Sequence, residues 1–466
     1  MRWRCCRLWC MMLIAMLIAM LIGLTWSGCA DSKSIPVDTG SPDPRGGQRI
    51  EPLASIPKGE RLIFVKKASR KIYIEPDSIE VGTGDIWSMN PDGSDPIQHT
   101  NLSQEYFVTD HPRLSYNGQY LTFTSNYRSW NSCCYTDIFK WDLVANRIDR
   151  VSGDEWPPDS PPTRYTTVKI LCEATGVRLS AKGCGYFIYP QQEVQTDSGT
   201  YYRSYLKVPA STSIWIKSEK SSTYGDLVTD YMVSSGDNEV VIGPDPYTES
   251  GTVLITQKGH INDQGKIVGM TSGKLTMWKE DGTIIWEKNI GGHQWGFSDD
   301  PVWSHDGSKI ALCLGLTGYA NFLAIHTPPE SEQIPTPIVG DQTGNSICQW
   351  PAWSPDDQYL IFCYGPIGGQ GINPNIYRIS VNGGMPEMLT HFNGYQAAFN
   401  PCYSPDGSKI VFTVMTCKTR SFNDYLDFMV GNIESATIWV MNLDGSDLRQ
   451  LTTDGVSYNA TWGTVQ

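Results

Sequence analysis

The sequence is poor in the residue patterns that usually announce chemistry. Its 13 cysteines include no Cys-x-x-Cys pair, and no Cys/His spacing is of zinc type. Neither a Gly-x-Ser-x-Gly elbow nor a His-Glu-x-x-His occurs, which removes the sequence signatures of α/β-hydrolases and zincins. The stretch from Gly259 to Lys266 imitates a phosphate loop, but it has five residues between its glycines and Ile267 where Ser or Thr is required. The seven histidines (His99, His111, His260, His293, His305, His326 and His391) are scattered. Asp92-Gly93-Ser94-Asp95 and Asp444-Gly445-Ser446-Asp447 carry too few oxygens at the right spacing for calcium. Basic residues are also in short supply: 36 Lys and Arg face 49 Asp and Glu, for a net charge of −13. An acidic body argues against nucleic acid and against docking on anionic lipid. No catalytic, cofactor-binding or metal-ligating residue is assigned, and no cofactor is expected.

What the chain does have is a phrase that returns every 50 residues. Trp303-Ser304-His305-Asp306-Gly307-Ser308-Lys309-Ile310 recurs as Trp353-Ser354-Pro355-Asp356-Asp357-Gln358-Tyr359-Leu360 and as Tyr403-Ser404-Pro405-Asp406-Gly407-Ser408-Lys409-Ile410. A proline lies two residues before each aromatic (Pro301, Pro351, Pro401). Such a period signals a propeller, solenoid or array. Pro-Asp-Gly between β-prone runs is a hairpin turn, so His305, in a proline's place, reads as a turn residue. The second half of each unit, as in Thr437-Ile438-Trp439-Val440-Met441-Asn442, leads through Asp444-Gly445 to Leu448–Thr452. Strand, turn, strand in both halves gives four antiparallel strands, one propeller blade. Looser copies at Arg61–Val65 with Asp85–Gly93, at Leu114–Leu121 with Asp137–Trp141, and at Ile261–Val268 with Leu275–Trp278 bring the count to six units.

The first unit begins near Gly59 without its aromatic strand, and Tyr458–Trp462 looks like an orphan first strand. Completion of the first blade by the last strand explains both, and closure removes exposed sheet edges. The Trp-Ser-Pro-Asp-Gly-x-x-Ile and Ile-Trp-Val-Met-Asn-x-Asp-Gly-Ser phrases resemble the WD-like repeats of the TolB-type β-propeller family, over roughly residues 59–152 and 251–466. The resemblance implies an envelope-associated binding protein. TolB itself begins with a separate α/β domain, for which this chain has no pattern before residue 59.

Arg2, Arg4 and Arg7 precede an apolar run from Leu8 to Leu24, and Ser27-Gly28-Cys29-Ala30 follows. This reads as an export signal (1–28), and the small residues before a cysteine resemble a bacterial lipobox with Cys29 as the lipidated residue. Trp26 departs from that pattern, and a plain signal peptide or an uncleaved anchor are the alternatives. Losing the three arginines moves the formal charge from −13 to −16. Residues 29–58 read as a flexible tether. Of the later cysteines, Cys348 and Cys363 flank a hairpin turn and Cys172 and Cys184 flank a short segment. Each pair is a candidate bridge, and a small buried apolar residue is the alternative at every position.

Between blades 1–2 (59–153) and blades 3–6 with the closing strand (251–466) the repeat vanishes. After the proline-rich Glu155–Pro162 come alternating runs such as Thr167–Leu171, Gly185–Tyr189 and Ser213–Ile216. Thr196–Tyr201 with Leu206–Ala210 resembles the carboxypeptidase regulatory-like β-sandwich, so 164–245 is expected to be an inserted small β-sandwich. The fold class is therefore all-β: a six-bladed β-propeller with an inserted sandwich. The insertion and the longest loops (Ser125–Thr136, Gly365–Pro374, Thr416–Ala436) belong to one face of the propeller, and only tight turns to the other. Binding usually lives on loops over a rigid scaffold. The candidate ligand face is Tyr127, Trp130, Tyr135, Phe422, Tyr425 and Phe428, although these aromatics would equally pack on the insertion. The expected function is a non-catalytic, envelope-anchored binding or scaffold protein whose partner is an envelope protein or a glycan. A glycan-active lyase or hydrolase with an acidic channel mouth, and a purely structural envelope protein, are the rivals.

Overall fold

The computed structural model describes residues 50–74, 77–105, 109–125, 127, 137–152, 165–172, 177–181, 192–196, 199–209, 213–220, 227–232, 238–242, 258–271, 274–289, 297–315, 322–328, 335–340, 346–366, 373–418 and 433–466. Six four-stranded antiparallel sheets follow one another around a ring. Their inner strands are Ser457–Val465 in blade 1, Thr109–Leu114 in blade 2 and Gly259–Ile261 in blade 3. Blades 4, 5 and 6 contribute Phe297–Trp303, Ser346–Trp353 and Gln396–Tyr403. Each inner strand packs against the inner strand of the next blade. Blade 1 takes its inner strand from the end of the chain: Ser457–Val465 pairs with Gly59–Ile74, with Leu62 opposite Trp462. The fold is the expected closed all-β propeller.

The repeated phrase explains why these residues make these hairpins. In blade 6 the Ser404 hydroxyl donates to Asp406 at 2.6 Å and accepts from the Lys409 N–H at 2.9 Å. The Asp406 carboxylate also accepts from the Ser408 N–H at 3.0 Å, and Gly407 takes a φ of 72°. Ser-x-Asp-Gly is thus a self-contained turn whose polar groups are satisfied locally. Those hydroxyl and amide donors hold Asp406 down at about 2. The outer strands are short, and a hydroxyl completes their pairing. Thr100, Ser152, Thr390 and Thr452 each accept the N–H of an isoleucine on the third strand (Ile86, Ile138, Ile376, Ile438) at 2.9 Å.

The core is divided among the wedges between blades. Leu62, Phe64, Val411, Ile438 and Trp462 pack between blades 6 and 1, and Val302, Leu323, Trp353 and Phe362 between blades 4 and 5. Along each strand alternate side chains serve the wedges on either side. This decides the fate of Cys348 and Cys363. Cys348 lies opposite Tyr364 and Cys363 opposite Gln349, so the two are one residue out of register. They point to opposite faces of the sheet and belong to different core clusters. The expected bridge does not form, and both thiols are free and buried. Cys172–Cys184 lies partly outside the described residues.

One feature was not foreseen. In blade 1 the second and third strands run on as a two-stranded arm: Gly59–Ile74 pairs with Asp77–Met89 out to Ile74 opposite Asp77. The inner strand reaches only Lys66. In the inserted segment, one sheet orders Gln192–Thr196, Gly199–Pro209, Tyr165–Cys172 and Asn238–Ile242, with the last pair parallel. A second orders Leu227–Met232, Ser213–Lys220 and Val177–Ala181.

Candidate functional site

Five of the six inner strands share a defect that builds the channel. In blades 2, 4, 5 and 6 the pairing of first and second strands slips at the residues just before and at the recurring proline. Blade 1 slips at the equivalent place. The residue preceding the proline position takes a positive φ each time: His111 (49°), Asp300 (51°), Trp350 (54°), Asn400 (48°) and Asn459 (52°). Such angles are uncommon outside glycine and belong to bulges, which re-aim side chains. All five are buried, as is Lys258 at the corresponding place in blade 3.

These residues pair with one another. Lys258 Nζ meets Asp300 Oδ1 at 2.9 Å and lies 5.6 Å from the centre of the Trp350 ring. The other oxygen of Asp300 accepts the Trp350 N–H at 3.2 Å. Asn459 Nδ2 and the His111 N–H both donate to Asp110 Oδ1, at 2.7 Å. Arg113 Nη2 donates to Asn400 Oδ1 at 3.2 Å. Arg113 with Asn400, and Lys258 with Trp350, join blades that are not neighbours in the ring, so these contacts lie across its centre. Side chains fill the channel there. Burial, with the charges of Lys258 and Arg113 nearby, drives His111 well below the ordinary imidazole range and keeps it neutral.

Toward the tight-turn face the channel opens into a cavity of about 130 Å³. Its wall includes Arg113, Tyr116, His260, His305, Trp353 and Trp462. Tyr116 stands where Pro355 and Pro405 stand in their blades. Its hydroxyl donates to the Trp303 carbonyl at 2.6 Å, and its ring stacks on His305 with centroids 3.5 Å apart. His260 Nδ1 accepts the Trp303 N–H at 3.0 Å, and its ring also bonds the Leu114 carbonyl. Burial first, then Arg113, pushes its pKa down to about 3. His260 is therefore a neutral strut between blades rather than an acid–base group. His305, the expected turn residue, gives its N–H to Asp357 Oδ1 at 2.8 Å, while Asp357 Oδ2 accepts the Asp306 N–H at 3.0 Å.

Of the expected ligand face, Tyr127 is 5% exposed and packs in the core beside Phe123 and Phe139. Its carbonyl accepts a hydrogen bond from Arg150, whose guanidinium also pairs with Asp137. Trp130, Tyr135, Phe422, Tyr425 and Phe428 lie outside the described residues, as does Cys29. The channel residues are not legible as a motif because their types differ from blade to blade. The residue before each proline was the signal, and Pro112 marks the same place in blade 2. Among the described residues no three His, Cys, Asp or Glu side chains are grouped to hold a metal.

No family model matches the chain. The Tol-Pal system protein TolB of Anaeromyxobacter dehalogenans (strain 2CP-1) is 33% identical over 120 residues, 25% of this chain and 22% of that protein. The chain thus spans about a fifth of the length of the curated relatives it matches. A structure described as TolB from Agrobacterium tumefaciens aligns over 90% of this chain and 99% of its own, at 13% identity and a TM-score of 0.33. An oligogalacturonate lyase in complex with manganese aligns over 85% of this chain and 86% of its own, at 12% identity and a TM-score of 0.31. The propeller is TolB-like. Its blade count and closure are read from its own sheets.

Proposed function

We propose that the protein is a non-catalytic binding or scaffold protein of the cell envelope, exported and held at the membrane through a lipid on Cys29. Its partner is another envelope protein, engaged by the propeller face that carries the long connections. The observation that supports this most is the asymmetry of the two faces. On one, the first-to-second and third-to-fourth strand turns close on themselves with local Ser and Asp bonds. To the other belong the two-stranded arm of blade 1 and the segment between blades 2 and 3, which we read as an accessory sandwich. The matched TolB proteins belong by name to the Tol-Pal system, which agrees with a protein partner. The channel's own side chains support the same reading, since its carboxylates and imidazoles hold neighbouring blades together.

The test is retention of solubilised envelope proteins on the immobilised full-length chain, beside a variant in which loops 128–135 and 420–431 are shortened. A protein held by the first and lost by the second is the expected result. Retention of no protein, together with turnover of an envelope glycan, would overturn the reading in favour of an enzyme.

A further inference from the structure

We propose that the cavity at the tight-turn end of the channel is a receptor for a carboxylate, the side chain of a glutamate or aspartate on a peptide segment that enters this mouth. The site is separate from the binding face proposed above, which belongs to the opposite face of the propeller.

Arg113 carries the argument. Lys258 has Asp300 at 2.9 Å, Lys140 has Glu280 at 3.2 Å, and Arg150 has Asp137. Arg113 lines the cavity, and among the described residues its guanidinium makes one hydrogen bond, to an amide oxygen, and no ion pair within 4 Å. A guanidinium offers five N–H donors in a planar fork, and a carboxylate fits that fork with two parallel bonds. A partly buried cation with a single neutral acceptor is incompletely compensated. A carboxylate arriving through the open end supplies the missing charge and the missing acceptors together.

The rest of the wall selects among anions. Val302, Ala352, Trp353, Pro355, Pro405 and Trp462 present largely apolar surface. Of the polar groups between them, Ser404 and Ser115 bond the side chains of Asp406 and Asn117, and Tyr116 and His260 the backbone of blade 4, which leaves the buried Tyr403 hydroxyl as the one without a hydrogen bond among these five. A sugar's hydroxyls would find few partners here, and unpaired polar groups are costly to bury. The methylenes of an acidic side chain need none. Among the described residues Arg113 is the sole Lys or Arg of the lining, so a monoanion is matched, whereas doubly charged phosphate brings a second charge against apolar walls.

The experiment uses the full-length chain and a capped Gly-Glu-Gly peptide, followed by ligand-observed NMR. The capped Gly-Gln-Gly peptide, inorganic phosphate and D-galacturonate form separate arms. Saturable binding of the glutamate peptide is expected, with the glutamine peptide at least about tenfold weaker, the scale of one charge-assisted contact. Arg113→Gln is expected to lose binding. Asn400→Asp is the sharper variant, because it places a carboxylate of nearly the same shape against the guanidinium and occupies it from within. It should lose binding by about tenfold or more while the melting temperature holds or rises. Full binding by Asn400→Asp, or equal binding of the glutamine peptide, would refute a carboxylate receptor. Phosphate or galacturonate binding more tightly than the glutamate peptide would overturn the peptide assignment.

Discussion

Single buried side chains set how this propeller responds to acid. Burial and Arg113 bring His260 down to about 3, and burial with Lys288 brings His326 to about 4. His99 and His111 are lowered chiefly by burial. In the unfolded chain each returns to about 6.5. As pH falls below that value the unfolded state takes up protons that the folded state refuses, so stability declines with falling pH. The turn aspartates act in a lower window: the stabilisation from Asp406, at about 2 when folded against 3.8 otherwise, is full above 3.8 and disappears as pH falls through 2. Asp85, raised by burial, has the opposite sign and loses stabilisation as pH rises above its unfolded value. The denaturation midpoint should therefore hold near neutral pH and fall between about pH 6.5 and 4. His260→Gln should be less stable near pH 7 by about 1–3 kcal/mol, because the Trp303 N–H or the Leu114 carbonyl loses its partner. It should also lose part of the pH dependence. An identical pH profile in the parent and His260→Gln would remove His260 from the account.

At the level of the hairpin, the one irregular pair among the three clear repeats has a physical cause. His305 replaces proline and so has an N–H that its sister turns lack. In the next blade Asp357 replaces glycine, at a φ of 57°, and its carboxylate takes that N–H and the one after it. In the regular neighbour Gly407 lies against Pro355 instead, a Cβ there falling 3.3 Å from the proline ring. The two departures compensate each other across a blade junction. Asp357→Gly should cost about 1–2 kcal/mol by orphaning two amides, despite relieving the backbone. His305→Pro with Asp357→Gly should cost less than the sum of the single changes by about 1 kcal/mol, measured by a double-mutant cycle in urea. Strict additivity would mean that the pair is coincidental. The turns themselves were legible, since Ser, Asp and Gly at fixed offsets are a local code. Their contacts between blades were not, because Asp357 and His305 are 52 residues apart.

On the scale of the whole ring, the period of the repeat and the missing first strand of blade 1 were enough to predict six blades and their closure. The channel was harder to read. Asp300, Trp350, Asn400, Asn459 and His111 span four residue types and are united by their shared bulge, and Lys258 joins them by its place in the blade. Arg113 had no signal beyond lying one residue after Pro112. The strand that closes the ring by pairing in blade 1 also meets blade 2 at a narrow contact. Gly118 has a φ of 70°, and a Cβ on it would fall 1.7 Å from the Thr464 carbonyl oxygen. Its own carbonyl accepts the Gln466 N–H at 3.2 Å. Gly394 has a similar φ of 67° but nothing within 4 Å of such a Cβ. Gly394→Ala should therefore show the backbone penalty alone, about 1 kcal/mol. Gly118→Ala adds a clash with backbone that cannot rotate away, so the last strand must shift along its neighbour. It should cost more than about 3 kcal/mol and expose the strand at Gly59–Ile74 to proteolysis before the other blades. Equal losses for the two glycines, with no early cleavage, would mean that the ring tolerates displacement of its closing strand.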